Sequence, residues 1–303
     1  MAGATGQTIK QGGNFMKRSL GKIFGFVLLV LWLWATLAVA AGDKPAIVLT
    51  AFGTSTAAFD TYKYFEEQVK KRFPDYEIRW AYTSKIVRKK LKEEQQRDLP
   101  DLPQVLQDLK AQGFKKAVVQ SLHIVPGEEW QKKVVAQAKG SGLQVGLGQP
   151  LLASPEDHRR VLAALAKDIP VDHGQEGVIL VGHGSPVPSG EREYQLFNRL
   201  LRNKYKNQPV YFGVIEGRPE IKVALAAIKK ARVEKVTLIP FLLVAGDHFE
   251  NDIMGEKDSL KAELQTDKPR EVRGIDRGLG YNDGVIQVYL DHLTAALKQL
   301  EKS

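Results

Sequence analysis

Two hydrophobic patterns alternate along this chain and predict alternating strands and helices. Short apolar runs are typical of strands buried on both faces of a sheet, whereas apolar residues three and four apart are typical of the helices that cover it. The predicted strands cover residues 46–50, 77–82, 117–125, 143–147, 177–181, 209–215, 235–244 and 272–275. The predicted helices cover residues 59–73, 129–138, 156–167, 191–204, 219–231, 254–264 and 284–300, with another around residues 105–109 that ends at Gly113.

The order of these elements repeats, with four strands before residue 155 and four after it. Strands that alternate with helices predict parallel sheets covered by helices on both faces. We therefore predict an α/β fold of two Rossmann-like halves related by internal duplication. The N-terminal half covers residues 42–154 and the C-terminal half residues 155–303, and the helix over 156–167 crosses between them.

The first 41 residues have the pattern of a secretory signal peptide. Lys17, Arg18 and Lys22 precede an apolar run over residues 23–41, in which Ala38-Val39-Ala40 supplies a small-residue cleavage pattern. We expect cleavage there and a mature protein that is periplasmic or otherwise exported. The alternative is an uncleaved membrane anchor, because the run is long for a signal.

Composition narrows the chemistry that is open to the chain. It has no cysteine, which excludes disulfides, thiolate zinc sites and a cysteine nucleophile. After the first 41 residues, 40 basic residues face 35 acidic ones, a net charge of +5 that suits an anionic substrate. Because no basic stripe with interleaved aromatic residues is present, we expect no nucleic-acid partner.

One short segment occurs twice, each time after a predicted strand. Val125-Pro126-Gly127-Glu128-Glu129-Trp130 corresponds to Val244-Ala245-Gly246-Asp247-His248-Phe249, and Ala51-Phe52-Gly53-Thr54-Ser55 resembles Gly182-His183-Gly184-Ser185. The copies differ at the metal-capable positions, with Phe52 against His183 and Glu129 against His248. The duplication therefore leaves an asymmetric set of metal ligands.

His183, His248 and Glu129 are the candidates for a metal site. All three follow predicted strands, and in open parallel sheets ligands bind beyond the carboxyl ends of the strands. Two imidazoles and a carboxylate suit a divalent first-row metal, and such a site accepts Co²⁺, Fe²⁺ and Ni²⁺. The alternatives are a His183 that packs within its turn, a His248 that pairs with Asp247, and a Glu129 that is a solvated carboxylate at a helix start.

Four more residues are candidates for the same cleft. Ser84 and Glu216 follow corresponding strands, and Arg88 lies in a basic run after Ser84. The planar guanidinium of Arg88 suits a substrate carboxylate, although a solvated helix face is the alternative. His123 falls within a predicted strand and is assigned equally to the cleft, to the core or to a partner interface.

The sequence lacks the motifs of nucleotide-binding proteins and of serine hydrolases. No G-x-G-x-x-G loop follows a strand and no Walker loop is present, so we expect no nucleotide. No nucleophile elbow accompanies His183, which counts against a serine hydrolase. Three other histidines have charged neighbours and are predicted to lie at the surface: His158, His173 and His292.

Taken in order, these motifs resemble the sirohydrochlorin cobaltochelatases of anaerobic cobalamin biosynthesis, which are class II chelatases. The resemblance runs through nearly all of the chain after residue 41. It rests on Ala51-Phe52-Gly53-Thr54-Ser55, Tyr82-Thr83-Ser84, Ile86-Val87-Arg88-Lys89, Val119-Gln120-Ser121-Leu122-His123-Ile124, Pro126-Gly127-Glu128-Glu129, Gly182-His183-Gly184, Glu216, Pro219-Glu220, Pro240, Leu243-Val244-Ala245-Gly246-Asp247-His248, Asn251-Asp252 and Gly278-Leu279-Gly280.

The resemblance implies two Rossmann-like halves around a tetrapyrrole cleft, and insertion of Co²⁺ into sirohydrochlorin without nucleotide hydrolysis. It implies that His183 and His248 bind the incoming metal, with Glu129 as third ligand or proton acceptor. We expect the tetrapyrrole to contact Arg88, Ser84, Glu216 and His123. Members of this family usually work in the cytoplasm, so the export signal is a departure that puts the physiological substrate and metal in question. The sequence does not decide whether a haem is bound or whether the chain forms a homo-oligomer.

Two functions of other classes are compatible with the same fold. One is an exported tetrapyrrole or metal carrier that binds without turnover. The other is a bilobed solute-binding protein for a small anion, which would close about a hinge and show no dependence on metal.

Overall fold

The computed structural model describes Gly3 and residues 44–170, 176–266 and 270–302. Apart from Gly3, the predicted signal peptide lies outside these residues, and so does His173. Within the described ranges, no helix combines the length and the apolar character needed to cross a membrane.

The described strands form two parallel sheets with the same strand order, which confirms the predicted α/β fold. The first sheet has the order β2-β1-β3-β4 and the second has the order β6-β5-β7-β8. In each sheet the chain connects strands first on one side and then on the other, so the strand order switches between β1 and β3 and between β5 and β7. Open α/β sheets bind ligands at such a switch point. The strands are β1 (Ala46–Ala51), β2 (Ile78–Tyr82), β3 (Lys116–Ser121), β4 (Gln144–Gly148), β5 (Glu176–Gly184), β6 (Val210–Glu216), β7 (Lys235–Phe241) and β8 (Glu271–Gly274).

Helices cover both sheets, and several begin where the sequence supplies a capping side chain. Ser84, Asp101, Ser154 and Asn282 each accept a backbone N–H of the helix that follows, which satisfies a donor that the helix itself leaves free. The α-helices are α1 (Asp60–Arg72), α2 (Lys85–Gln95), α3 (Leu102–Ala111), α4 (Ala136–Lys139), α5 (Pro155–Leu165), α6 (Pro188–Lys204), α7 (Ile221–Lys230), α8 (Leu260–Thr266) and α9 (Asp283–Glu301).

Four predicted elements are corrected by the structure. The strands predicted over 117–125 and 235–244 end earlier. The backbone carbonyl groups beyond their ends accept hydrogen bonds from the N–H groups of Leu151 and Leu279, which lie in loops. The helix predicted over 254–264 begins later, at Leu260, and residues 254–259 are not helical. Pro219 precedes α7 instead of lying in its first turn.

The last helix joins the two halves into one core. Although α9 follows the second sheet in sequence, it packs on β3 and β4 of the first sheet. The buried Tyr289 of α9 donates its hydroxyl to the carbonyls of Leu122 and His123, at 3.1 and 3.2 Å. The division at residue 155 therefore separates the strands of the two sheets but not the helices that cover them.

Of the histidines predicted at the surface, His158 is buried and His292 is half-buried. His158 places Nδ1 2.7 Å from the Ser154 carbonyl oxygen, and His292 places Nε2 3.1 Å from Asp157 Oδ1. Helix α5 packs against α9 and α6. Burial at these positions follows from helix packing, which charged sequence neighbours do not reveal.

Candidate functional site

A glycine with a positive φ angle lies just after β1, and another is the last residue of β5. Gly53 and Gly184 have φ angles of 104° and 107°, in the left-handed region that side chains with a Cβ atom avoid. Gly184 also lies so close to β6 that a methyl group there would be 1.7 Å from the Glu216 carbonyl oxygen. Phe52 and His183 each precede one of these glycines, so they occupy equivalent positions at the carboxyl edges of their sheets.

The second pair of duplicated loops also superposes in conformation. Glu129 and His248 each precede a π-helical turn, Trp130–Val135 and Phe249–Ile253, with φ/ψ of −59°/−44° and −61°/−36°. Such turns are rare and are concentrated at functional sites. The structure thus confirms that Glu129 and His248 are equivalent positions of the duplicated unit.

Reciprocal contacts join the two halves at these loops. A methyl group on Gly127 would lie 3.0 Å from Ser185 Oγ, and one on Gly246 would lie 2.6 Å from Thr54 Oγ1. Each glycine thus packs on the residue after the left-handed glycine of the other half. Consequently Glu129 and His183 lie near the first of these contacts, and Phe52 and His248 near the second.

His183 and His248 form a pair. Their ring centroids are 4.7 Å apart and the rings are nearly perpendicular, at 75°. They meet because β5 and β7 are neighbours in the second sheet, so that the end of β5, which carries His183, lies beside the loop that follows β7. The structure therefore brings together the two imidazoles that the sequence analysis selected.

Asp252 orients His248. Its carboxylate Oδ2 lies 2.6 Å from His248 Nδ1 and accepts the ring N–H, which leaves Nε2 available to a metal. The sequence alternative of a His248–Asp247 pair is wrong, because Asp247 accepts from Asn251 at 3.1 Å. Sequence reasoning did not single out Asp252, although the i, i+4 spacing of His248 and Asp252 was the available signal.

Glu129 is enclosed but unpaired. Its Oε2 atom is buried without a hydrogen-bond partner among the described residues, and such an oxygen carries a desolvation cost unless a ligand or proton meets it. Within the described ranges, no three His, Asp or Glu side chains converge to hold a metal ion. The set of His183, His248 and Glu129 is therefore not assembled in this conformation, and the ready-made part is the histidine pair.

His123 is a neutral, enclosed imidazole. It lies two residues beyond β3, with Nδ1 2.9 Å from Ser121 Oγ and Nε2 3.4 Å from Thr83 Oγ1. Burial lowers the pKa of His123 to about 4, because the imidazolium would lose its hydration. The ring is therefore uncharged near neutral pH and offers hydrogen bonds without charge.

The other three candidates have different environments. Ser84 is buried, and its hydroxyl caps α2 by accepting from the Val87 N–H at 3.3 Å. Arg88 is paired with Asp101, with Nη2 and Oδ2 3.1 Å apart. Glu216 is exposed at the end of β6. Of these three, Glu216 alone presents its charge to solvent without a structural role shown by its contacts.

The fold and the histidine pair define a chelatase-type protein of two similar halves. The crystal structure of the sirohydrochlorin chelatase SirB from Bacillus subtilis subspecies spizizenii with cobalt has the same fold, with a TM-score of 0.59, 17% identity, and coverage of 86% of this chain and 98% of that one. The chain belongs to the cobalt chelatase (CbiK) family, whose pattern matches residues 45–298.

Two curated relatives cover most of the chain. The sirohydrochlorin cobaltochelatase CbiKC of Nitratidesulfovibrio vulgaris is 32% identical over 265 residues, which is 85% of this chain and 92% of that protein. The sirohydrochlorin cobaltochelatase of Salmonella typhimurium is 30% identical over 261 residues, which is 84% of this chain and 97% of that protein.

Proposed function

We propose that this protein inserts Co²⁺ into sirohydrochlorin, the reaction for which its two curated relatives are named. The observation that carries the proposal is the His183–His248 pair, with rings 4.7 Å apart at the switch point of the second sheet. A carrier without turnover and a small-anion binding protein are the competing outcomes of the test below.

The reaction exchanges charge at the centre of the macrocycle. Two pyrrole N–H protons leave as one divalent ion enters, so the site must both present the metal and accept protons. His248, with its Nδ1–H held by Asp252, and His183 would present the metal through neutral ring nitrogens. The Glu129 carboxylate, whose buried Oε2 has no hydrogen-bond partner among the described residues, would accept a proton or complete the coordination during transfer.

The tetrapyrrole contacts are proposed for Ser84, Arg88, His123 and Glu216. Arg88 would share its guanidinium between Asp101 and a peripheral carboxylate of the ring. His123 would act as a neutral hydrogen-bond partner because its pKa is low. Cobalt is proposed as the inserted metal because the relatives are cobaltochelatases, while the same donors would also admit Fe²⁺ and Ni²⁺.

The test is an absorbance assay of the purified mature chain with sirohydrochlorin and each metal in turn. Insertion should change the spectrum of the macrocycle over many turnovers, and His183→Ala and His248→Ala should each lower the rate at low metal concentration by at least about 100-fold. Far-UV circular dichroism of both variants checks that the fold is kept. Binding of the macrocycle without turnover would assign the protein as a carrier, and metal-independent binding of a small anion would assign it as a solute-binding protein.

We also propose that the mature protein is exported and begins near Ala41 or Gly42. The order of basic, apolar and small residues in the first 41 positions supports this. N-terminal sequencing of the protein recovered from the cell envelope is the test. An intact run over residues 23–41 would contradict cleavage and identify a membrane anchor.

A further inference from the structure

A buried tyrosine reaches each of the two left-handed glycines. The hydroxyl of Tyr62, in α1, accepts the Gly53 N–H at 3.2 Å. The hydroxyl of Tyr194, in α6, accepts the Gly184 N–H. Both tyrosines are only 2% exposed, and each comes from the first α-helix after the strand that leads to its glycine. This contact is therefore a further feature that the two halves share.

Tyr194 contacts both residues that flank His183. Its hydroxyl meets Gly184, and its ring lies against Gly182, where a methyl group would be 3.4 Å from Cε1. On the other side the ring stacks on Phe212 of β6, with centroids 6.0 Å apart. Burial raises the pKa of the Tyr194 hydroxyl, so it stays protonated and neutral at physiological pH. Tyr194 is therefore a fixed, uncharged contact for the backbone that carries His183.

The two imidazoles of the pair are held in different ways. Asp252 accepts from Nδ1 of His248 and so orients that ring directly. His183 contacts the His248 ring, but within the described residues no side chain forms a hydrogen bond with its ring nitrogens. The position of the His183 imidazole therefore depends on its backbone. Because Gly182 and Gly184 give that backbone unusual freedom, a contact from outside the turn is needed to fix it.

We infer that Tyr194 is the positioning residue for His183, because its hydroxyl and ring hold the turn so that the imidazole stays beside His248. The inference rests on the proposed function and names a residue that supports the metal site without binding the metal. Loss of a group that orients a metal ligand usually costs about 10- to 100-fold in affinity. The equivalent Tyr62 holds the turn of Phe52, whose side chain cannot bind a metal. The duplication therefore supplies a matched control within the same chain.

The test is a titration of the mature chain with Co²⁺ alone, followed by the visible absorption of the bound ion. Tyr194→Phe removes only the hydroxyl oxygen and should raise the Kd for Co²⁺ about tenfold, with a changed absorption band because the ligand geometry is altered. Tyr62→Phe removes the equivalent oxygen and should leave the Kd within about twofold of wild type. Urea unfolding should lower the midpoints of both variants by similar amounts, because each loses one buried hydrogen bond.

Insertion kinetics give a second readout that a loss of stability would not produce. If the Tyr194 hydroxyl acts through metal binding, Tyr194→Phe should raise the KM for Co²⁺ about tenfold and leave kcat within about twofold. Tyr62→Phe should leave the KM for Co²⁺ unchanged.

The outcomes separate this inference from the proposed function. Unchanged Co²⁺ affinity in Tyr194→Phe, in a protein whose wild type inserts the metal, would overturn the positioning role and leave the function standing. Equal losses of affinity in Tyr194→Phe and Tyr62→Phe would also overturn it, because the effect would not be specific to His183. A wild-type protein that binds Co²⁺ but does not metallate sirohydrochlorin would remove the proposed function, while the two titrations would still decide the role of Tyr194.

Discussion

At the scale of single residues, the carboxylate of Asp252 decides which nitrogen of His248 is free to bind a metal. We expect Asp252→Asn to weaken metal binding about 10- to 100-fold, the usual cost of losing a partner that orients a ligand. The Kd of metal-free sirohydrochlorin should not change. Asp247→Asn is the matched control, because Asp247 contacts Asn251 and not His248. Metal titrations of the two variants check the prediction, and equal effects would contradict it.

Glu129 differs from the histidines in that one carboxylate oxygen, Oε2, is buried without a hydrogen-bond partner among the described residues. Glu129→Gln keeps the size of the side chain and removes its charge. If the carboxylate mainly accepts protons, single-turnover insertion should fall about 100-fold, while metal affinity should fall less, because His183 and His248 remain. Both quantities are measured on one preparation. Unchanged insertion with unchanged affinity would remove Glu129 from the site and direct the same test to Glu216.

At the scale of elements, the tight turn that ends β5 positions His183. Gly184→Ala would force a Cβ atom into left-handed backbone and against the Glu216 carbonyl. We expect a loss of at least about 2 kcal/mol in the free energy of unfolding, together with a loss of metal affinity. Gly140→Ala is the control, because Gly140 has φ of −86° and a methyl group there would lie 3.8 Å from the Gln137 carbonyl oxygen, an ordinary contact; it should change stability by less than about 0.5 kcal/mol. Urea unfolding tests both variants, and equal stability would contradict the strain argument.

At the scale of the whole molecule, the two halves share one apolar core through α9. After residue 41 the tryptophans are Trp80 and Trp130, both in the first half, whereas far-UV circular dichroism reports both halves. We expect the two signals to follow a single unfolding transition. Leu293→Ala, in α9, should lower both midpoints together, with a loss of about 2–5 kcal/mol. Separate transitions would show that the halves unfold independently.

Much of the fold could be predicted because its signals are local. Buried parallel strands are continuous apolar runs, and β1, β5 and β6 were placed to within a few residues on that basis. Capping residues such as Ser154 mark helix starts in the sequence itself. The predicted ends of β3 and β7 were wrong, because the backbone beyond Ser121 and Phe241 forms hydrogen bonds with loops that are distant in sequence.

The sequence by itself determined the duplicated α/β architecture, the family, and the choice of His183, His248 and Glu129, because strand periodicity and repeated motifs are properties of neighbouring residues. Only the tertiary structure decided how these groups meet. It brings the two imidazoles into contact, forms the hydrogen bond between His248 and Asp252 and pairs Arg88 with Asp101 in a salt bridge. It also buries His158, gives His292 a partner in Asp157 and places α9 on the first sheet. The physical reason is that distance, burial and hydrogen-bond partners across packed elements depend on atoms brought together by folding, and no local pattern in the chain encodes them.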